Sequence, residues 1–157
     1  MTVIDGETKL RFPRNGAKQF FAHEDVVVVG TDRYVIAAVA FDGNGDDVTE
    51  MILTTPKLFM FTSNDLSEVT EKDWEKAKRI NEKARQNGYE VIWMVAEMPE
   101  EMRAYQGKHP FVDEVYYGDE LEIKTIVRFN PGLILLDEGL VIDNWSAIDF
   151  DKVWERM

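Results

Sequence analysis

The sequence predicts an α/β fold in which a mixed central sheet is flanked by helices. From residue 58 onward, short apolar runs alternate with helical patterns in the order β-α-β-α-β-α-β-β-α. The tripeptide Asn-Pro-Gly at 130–132 leads directly into the apolar run 133–136. A Glu-Gly turn at 138–139 then joins a second apolar run, 140–142, which predicts a hairpin. Parallel β-α-β units combined with an antiparallel hairpin give a mixed sheet.

Composition limits both the architecture and the partners. A chain of 157 residues with 45% hydrophobic residues can bury a core as one domain without disulfides or metals. The formal charge of -12 argues against nucleic-acid and anionic-membrane binding. No apolar run approaches a membrane span, and the first 20 residues lack the apolar region of a signal peptide. The absence of cysteine excludes thiol–disulfide chemistry within the chain.

The first part of the chain is predicted to be a β extension. Residues 1–40 are expected to pack on the same domain that residues 41–157 form. A hairpin at 2–12 and strands at 26–30 and 34–41 are predicted there from β-branched runs and turn residues.

A dense turn follows this extension. The sequence Asp-Gly-Asn-Gly-Asp at 42–46 imitates the start of a calcium loop. Asp47 replaces the glycine at the sixth position and Leu53 replaces the glutamate at the twelfth, so we predict a solvated turn without metal. One helical turn over 48–53, behind a Thr or Asp cap, is predicted next.

The strongest helical pattern covers residues 71–87. Thr70 and Asp73 are typical of a capped start, and Gly88 is typical of the position after a helix end. The helix has a narrow apolar stripe, formed by Trp74, Ala77, Ile80 and Ala84.

The other elements follow from apolar runs and cap residues. Strands are predicted at 58–61, 89–96, 112–117, 133–136 and 140–142. Further helices are predicted at 100–106 behind Pro99, at 121–128, and near the C-terminus behind an Asp149 cap. The strand at 58–61 is expected to be central, parallel to the strand at 89–96 and antiparallel to the strand at 133–136.

This order, with a proline just before a central strand, resembles the thioredoxin-like fold. The strand at 112–117 resembles the insertion of periplasmic thiol reductants and peroxiredoxins. In those families the strand matching 58–61 delivers the reactive thiols, and the matching loop here, 63–68, reads Ser-Asn-Asp-Leu-Ser-Glu. The resemblance also implies a cis peptide bond before Pro131, which leaves the preceding backbone free to pair with a bound extended chain.

A second resemblance covers the end of the chain. The run IKTIVRFNPGLILLDEG at 123–139, with Asn144 and Trp145 after it, resembles the soluble C-terminal region of some bacterial DoxX-type membrane proteins. In these, a K-T-I-x-R-x-N-P-G-L-x-L-L pattern closes a cysteine-free thioredoxin-like domain. The resemblance implies a membrane-associated or periplasmic-side location; without it, a cytoplasmic location is expected.

The candidate binding site combines the proline turn with the former thiol loop. Its predicted residues are Phe129, Asn130 and Pro131 in the turn and Ser63, Asn64 and Asp65 in the loop. No histidine or lysine lies beside the loop to activate a serine, so no catalytic residue is predicted. His23 and His109, the two histidines, lack zinc-ligand spacing, so neither a metal nor another cofactor is predicted.

Three functions are compatible with this sequence. The first is a redox-inactive module that binds a partner protein, or its own membrane-embedded part. The second is a structural domain with no ligand site. The third is an enzyme that uses carboxylates such as Asp65 or Glu68 in the former thiol pocket, which would need a strongly raised carboxylate pKa in a concave site.

Overall fold

The computed structural model of the chain describes residues 39–126 and 129–157. These residues form a six-stranded mixed sheet with strand order β1-β4-β3-β2-β5-β6. The strands are β1 (Ala40–Phe41), β2 (Leu58–Ser63), β3 (Glu90–Val95), β4 (Val115–Gly118), β5 (Gly132–Asp137) and β6 (Leu140–Ser146). The helices are α1 (Thr49–Thr54), α2 (Glu71–Gln86), α3 (Pro99–Lys108) and α4 (Glu120–Ile126), with 3₁₀ segments at Leu66–Glu68 and Ala147–Glu155.

Most of the predicted N-terminal β extension lies outside the described residues. The predicted hairpin at 2–12 and the predicted strand at 26–30 lie entirely outside the described residues. Residues 34–38 of the predicted strand at 34–41 also lie outside them. The end of that run forms β1, which pairs antiparallel with β4. Within the described parts of the chain, no helix is both long enough and apolar enough to cross a membrane.

The predicted sheet order is confirmed. β2 is parallel to β3, with Phe61 opposite Trp93, and antiparallel to β5, with Phe61 opposite Leu133. β6 pairs antiparallel with β5. The parallel strands β2 and β3 therefore end at the same edge at which β5 begins, and this edge carries the candidate site.

β2 is buried along its whole length because both faces of the sheet are covered. Phe59 and Phe61 face a core that includes residues from α2, α3 and the C-terminal 3₁₀ segment. Leu58 and Met60 face a second core that includes residues from α1 and α4. The continuous apolar run at 58–61, which has no polar alternation, reflects this burial on two sides.

The local signals at α2 and at the β5–β6 hairpin are confirmed. Thr70 caps α2 by accepting a hydrogen bond from the Asp73 N–H at 3.1 Å, and all four residues of the predicted apolar stripe are buried. Gly88 follows the helix with φ of +82°. In the hairpin turn, Glu138 and Gly139 have φ of +50° and +84°, the backbone that a tight two-residue turn requires.

Several boundaries and caps differ from the prediction; β6, for example, extends to Ser146 instead of ending at residue 142. β4 begins at Val115 rather than at residue 112, because the Val112 N–H bonds to the His109 carbonyl in a turn. The C-terminal helix is a 3₁₀ segment whose N-cap is Ser146; Asp149 lies inside it and pairs with Lys152 at 3.3 Å. α1 follows Val48, which has no side-chain acceptor, and Asp47 instead accepts the Thr49 N–H at 2.8 Å.

The turn at 42–46 is confirmed as a self-bonded, exposed turn. Asp42 Oδ1 accepts hydrogen bonds from the backbone N–H groups of Asn44 at 2.8 Å and Asp46 at 3.0 Å. Gly45 closes the turn with φ of +86°. The Asp42 side chain is therefore used to hold its own loop, as in an ordinary Asx turn.

Candidate functional site

The proline turn lies beside the end of the central strand. The Asn130–Pro131 peptide bond is cis, as the resemblance implied. Pro131 is buried, and Gly132, the first residue of β5, pairs with Thr62 near the end of β2. Residues of the turn and of the loop after β2, which are more than 60 positions apart in the chain, are thereby brought into contact.

Asn130 joins the turn to the loop through three hydrogen bonds. Its Oδ1 accepts the hydroxyl of Ser63 at 2.6 Å. Its Nδ2 donates to the Asp65 carbonyl at 2.7 Å and to Glu68 Oε1 at 2.9 Å. Since Ser63 is 1% exposed, its hydroxyl depends on Asn130 as an acceptor. The side-chain amide of Asn130 thus connects the end of β2, the loop after it and the turn before β5 through hydrogen bonds.

Further hydrogen bonds stabilise the loop itself. The Asp65 N–H donates to Ser63 Oγ at 3.2 Å. Asp65 Oδ1 accepts the N–H of Ser67 at 3.0 Å and its hydroxyl at 2.6 Å, which caps the 3₁₀ segment Leu66–Glu68. Asn64 is half-buried, and its side chain has no hydrogen-bond partner among the described residues. The loop is therefore held closed by its own side chains, and the serines act as hydrogen-bonding residues.

Glu97 is a site residue that the sequence interpretation missed. It follows β3 by two residues, and its Oε2 accepts the Leu66 N–H at 2.7 Å, so it ties the loop to the start of α3. Its Oε1 is shielded from solvent and has no partner among the described residues. The sequence did offer a signal for Glu97: an acidic residue lies two positions after a buried strand, near the place where the loop was expected.

Burial raises the pKa of Glu97 above its usual value, and this effect outweighs the hydrogen bond from Leu66. The charges of Asp65 and Glu101 raise it further. Tyr105, on α3, also has a raised pKa, caused first by partial burial and then by the charges of Glu97, Asp65 and Glu101. Acidic side chains therefore lie close together where the loop meets the start of α3.

A pH dependence follows from the raised pKa of Glu97. The folded chain holds the Glu97 proton more tightly than the unfolded chain, so this residue favours folding below its unfolded pKa, and the contribution is lost as the pH rises through the folded pKa. Relative to Glu97→Gln, which cannot ionise, the wild-type chain is expected to lose stability across that window. Urea unfolding of both proteins from acid to neutral pH measures the difference; two parallel stability curves would contradict it.

Two exposed apolar side chains border the loop. Met98 follows Glu97 and is 60% exposed, and Phe129 precedes Asn130 and is 57% exposed. Within the described parts of the chain, no hydrogen bond involves the backbone of Phe129. Among the described residues, the turn therefore presents an unbonded backbone at Phe129 and an exposed aromatic side chain beside a hydrogen-bonded loop.

His109 lies outside the candidate site and packs against α2. Its ring stacks on Trp74 with centroids 4.0 Å apart and an interplanar angle of 12°. Burial lowers its pKa, which outweighs the opposite effect of Glu71. The stack borders a shallow cleft of about 390 Å³ that also contains Lys78 and Lys108. His23 lies outside the described residues.

Comparison with known proteins establishes the fold. No protein-family model matches the sequence, and no curated protein matches it. Solved structures that match include a thiol-disulfide oxidoreductase from Bacteroides fragilis, with a TM-score of 0.59 and 12% identity over 78% of this chain and 99% of that one. The pneumococcal exposed lipoprotein thioredoxin Etrx1 from Streptococcus pneumoniae matches with a TM-score of 0.52 and 10% identity over 77% and 98% of the two chains.

The soluble domain of Sco1 from Bacillus subtilis is a third match, with a TM-score of 0.53 and 10% identity over 80% of this chain and 94% of that one. The chain thus has the thioredoxin-like α/β fold, with a mixed six-stranded sheet flanked by helices. Two of these neighbours are named for thiol–disulfide or thioredoxin chemistry, whereas this chain contains no cysteine. It cannot form or exchange a disulfide through its own side chains.

Proposed function

We propose that this chain is a redox-inactive, thioredoxin-like binding module that holds an extended segment of a partner protein across the turn before Pro131. The observation that carries the proposal is the turn itself, where Asn130 fixes the backbone beside an exposed aromatic residue, Phe129. An extended segment can pair with a free backbone through main-chain hydrogen bonds, while apolar side chains beside it supply contact area.

Rigidity of the turn supports this proposal. The Asn130 amide ties the turn to Ser63, Asp65 and Glu68, so the backbone at Phe129 is attached to a preformed frame. A preformed surface loses less conformational entropy on binding than a mobile one. The loop contains no thiol, and its side chains form hydrogen bonds within the loop. Partner binding at the turn would therefore not depend on redox chemistry.

A carboxylate-based enzyme has less support at this site. Asp65 uses its Oδ1 to cap the 3₁₀ segment, and Glu68 Oε1 accepts a hydrogen bond from Asn130. Both carboxylates suggested by the sequence thus serve the loop. We therefore retain partner binding as the function of the turn and the loop.

The resemblance of residues 123–139 to the soluble region of DoxX-type membrane proteins bears on the source of the partner. On that basis we propose that the bound segment belongs to a membrane protein, or to a membrane-embedded part of the same system, and that the module works at a membrane. One of the neighbours similar in fold is described as an exposed lipoprotein thioredoxin.

Removing an exposed apolar side chain that borders the loop should weaken peptide binding. We expect Met98→Ser to weaken binding of short fluorescent peptides with a central aromatic residue by about fivefold, because burial of a methionine side chain is lost. Fluorescence anisotropy on the full chain measures this change.

Met51→Ser is the matched control, because Met51 is 40% exposed on α1, away from the turn and the loop. Its affinity should equal that of the wild type. The proposal is wrong if no peptide binds, which would favour a purely structural domain, or if the two methionine variants weaken binding equally.

A further inference from the structure

The acidic side chains around the turn specify what kind of segment it binds. Resting on the proposed function, we infer that the partner segment is cationic: an extended stretch with an apolar residue flanked by lysines or arginines. The apolar residue would contact Phe129 or Met98, and its basic neighbours would meet the carboxylates of Glu68 and Glu101.

Contacts within the chain place these carboxylates beside the apolar residues. Glu68 accepts a hydrogen bond from Asn130, the neighbour of Phe129, at 2.9 Å. Glu101 Oε1 accepts the N–H of Met98 at 2.9 Å. Both glutamates are exposed. An exposed carboxylate is therefore bonded to Met98 itself, and another is bonded to Asn130, the residue next to Phe129.

Asp65 and Glu97 extend the negative charge between these two points. Glu97 bonds to the loop at Leu66, and Asp65 begins the same 3₁₀ segment. Tyr105, on α3, is near enough to Glu97, Asp65 and Glu101 for all three charges to raise its pKa, after the larger effect of burial. An approaching segment would meet a continuous negative field along the loop and the start of α3.

None of these four carboxylates has a cationic partner among the described residues. Elsewhere, Asp113 pairs with Arg85 at 2.7 Å, and Asp143 pairs with Arg156 at 3.1 Å. Lys76–Asp151 and Lys152–Asp149 are further pairs. No lysine, arginine or histidine in 39–126 or 129–157 forms such a pair with Asp65, Glu68, Glu97 or Glu101. A basic segment would supply the missing positive charges.

The exposed apolar side chains and the carboxylates beside them disfavour neutral and acidic segments. A neutral apolar segment would leave the carboxylates uncompensated next to the interface, and an acidic one would be repelled. A basic segment with an apolar centre complements both features. This charge complementarity goes beyond the proposed function, which requires only an extended segment.

Three fluorescent peptides test the inference on the full chain. They share one central aromatic residue in an extended sequence and differ only in its flanks, which are lysine and arginine, serine and glutamine, or aspartate and glutamate. We expect the basic peptide to bind about tenfold more tightly than the neutral one, and the advantage to fall as ionic strength rises from about 0.05 to about 0.5 M.

A double variant, Glu68→Gln with Glu101→Gln, isolates the charges, because glutamine keeps an oxygen that can accept the bonds from Asn130 and Met98. It should reduce the preference for the basic peptide about fivefold. The pair Glu82→Gln with Glu90→Gln makes the same change in net charge at exposed positions toward the other end of α2 and at the start of β3, and should leave the preference unchanged.

The outcomes separate this inference from the proposed function. Equal binding of all three peptides, or an equal effect of the two double variants, would overturn the cationic partner and leave a binding turn without charge preference. Tighter binding of the acidic peptide would also overturn it. Binding of none of the peptides would overturn the inference and the proposed function together.

Discussion

Replacing Trp93 by alanine is expected to lower the free energy of unfolding by about 3–5 kcal/mol. Trp93 lies on β3, is 1% exposed and stacks on Phe61 with centroids 4.6 Å apart and on Trp74 at 5.3 Å. The substitution leaves a cavity between the central sheet and α2, which the flanking rings cannot fill. Since a typical domain is stable by only about 5–15 kcal/mol, urea unfolding should show a large shift of the midpoint.

Trp93→Phe is the matched control. It keeps an aromatic ring in the stack and removes the indole N–H, which has no hydrogen-bond partner among the described residues. Its cost should be about 1.5 kcal/mol or less, because most of the ring contact remains. If phenylalanine destabilised the chain as much as alanine, the stack with Phe61 and Trp74 would not be the source of the stability.

Replacing Asn130 by alanine is expected to cost about 2–4 kcal/mol and to release the loop from the turn. The variant loses three hydrogen bonds, one of them to the Glu68 carboxylate, and leaves the buried Ser63 hydroxyl without its acceptor. Urea unfolding measures the cost, and amide hydrogen exchange at Leu66 and Ser67 measures the release of the loop.

Asn144→Ala provides the comparison for that variant, because Asn144 is exposed on β6. Its effect should stay within about 0.5 kcal/mol, as is usual for an exposed position away from a network. If Asn130→Ala lowered the free energy of unfolding by less than about 1 kcal/mol and left amide hydrogen exchange in the loop unchanged, Asn130 would not be the residue that holds the loop to the turn.

The sequence predicted the elements whose signals are local. The start of α2 follows from Thr70 and its end from Gly88, and the hairpin turn follows from Glu138 and Gly139, because caps and tight turns depend on neighbouring residues. The central position of β2 follows from its uninterrupted apolar run, since only a strand covered on both faces has this pattern.

Boundaries that depend on distant packing were wrong. Val112 is β-branched and fully buried, yet its backbone is in a turn, so β4 begins three residues later. Asp149 has the residue type of a helix cap, but the 3₁₀ segment already begins after Ser146, where the chain leaves β6. Hydrophobicity and cap preference do not by themselves give the direction of the backbone at such points.

The candidate site was predicted in part. Ser63, Asp65 and Asn130 were expected near one another from the resemblance to the thioredoxin-like fold, and the structure joins them by hydrogen bonds. Glu97 and Glu101 were missed because their roles depend on contacts made after folding: Glu97 bonds to a residue 31 positions away, and Glu101 gains its place from the start of α3. Such partners have no fixed spacing in a sequence.

Amide chemical-shift mapping tests the central claim of partner binding at the turn most directly. In a titration of the isotope-labelled full chain with the basic peptide, we expect the largest shifts at Phe129, Asn130 and the loop residues Asn64–Glu68, together with slower exchange of the Phe129 N–H as it pairs with the peptide backbone. Amides around Glu82 and Glu90 should remain unchanged. Shifts confined to the cleft beside Trp74 and His109, or an absence of shifts at the turn, would contradict the claim.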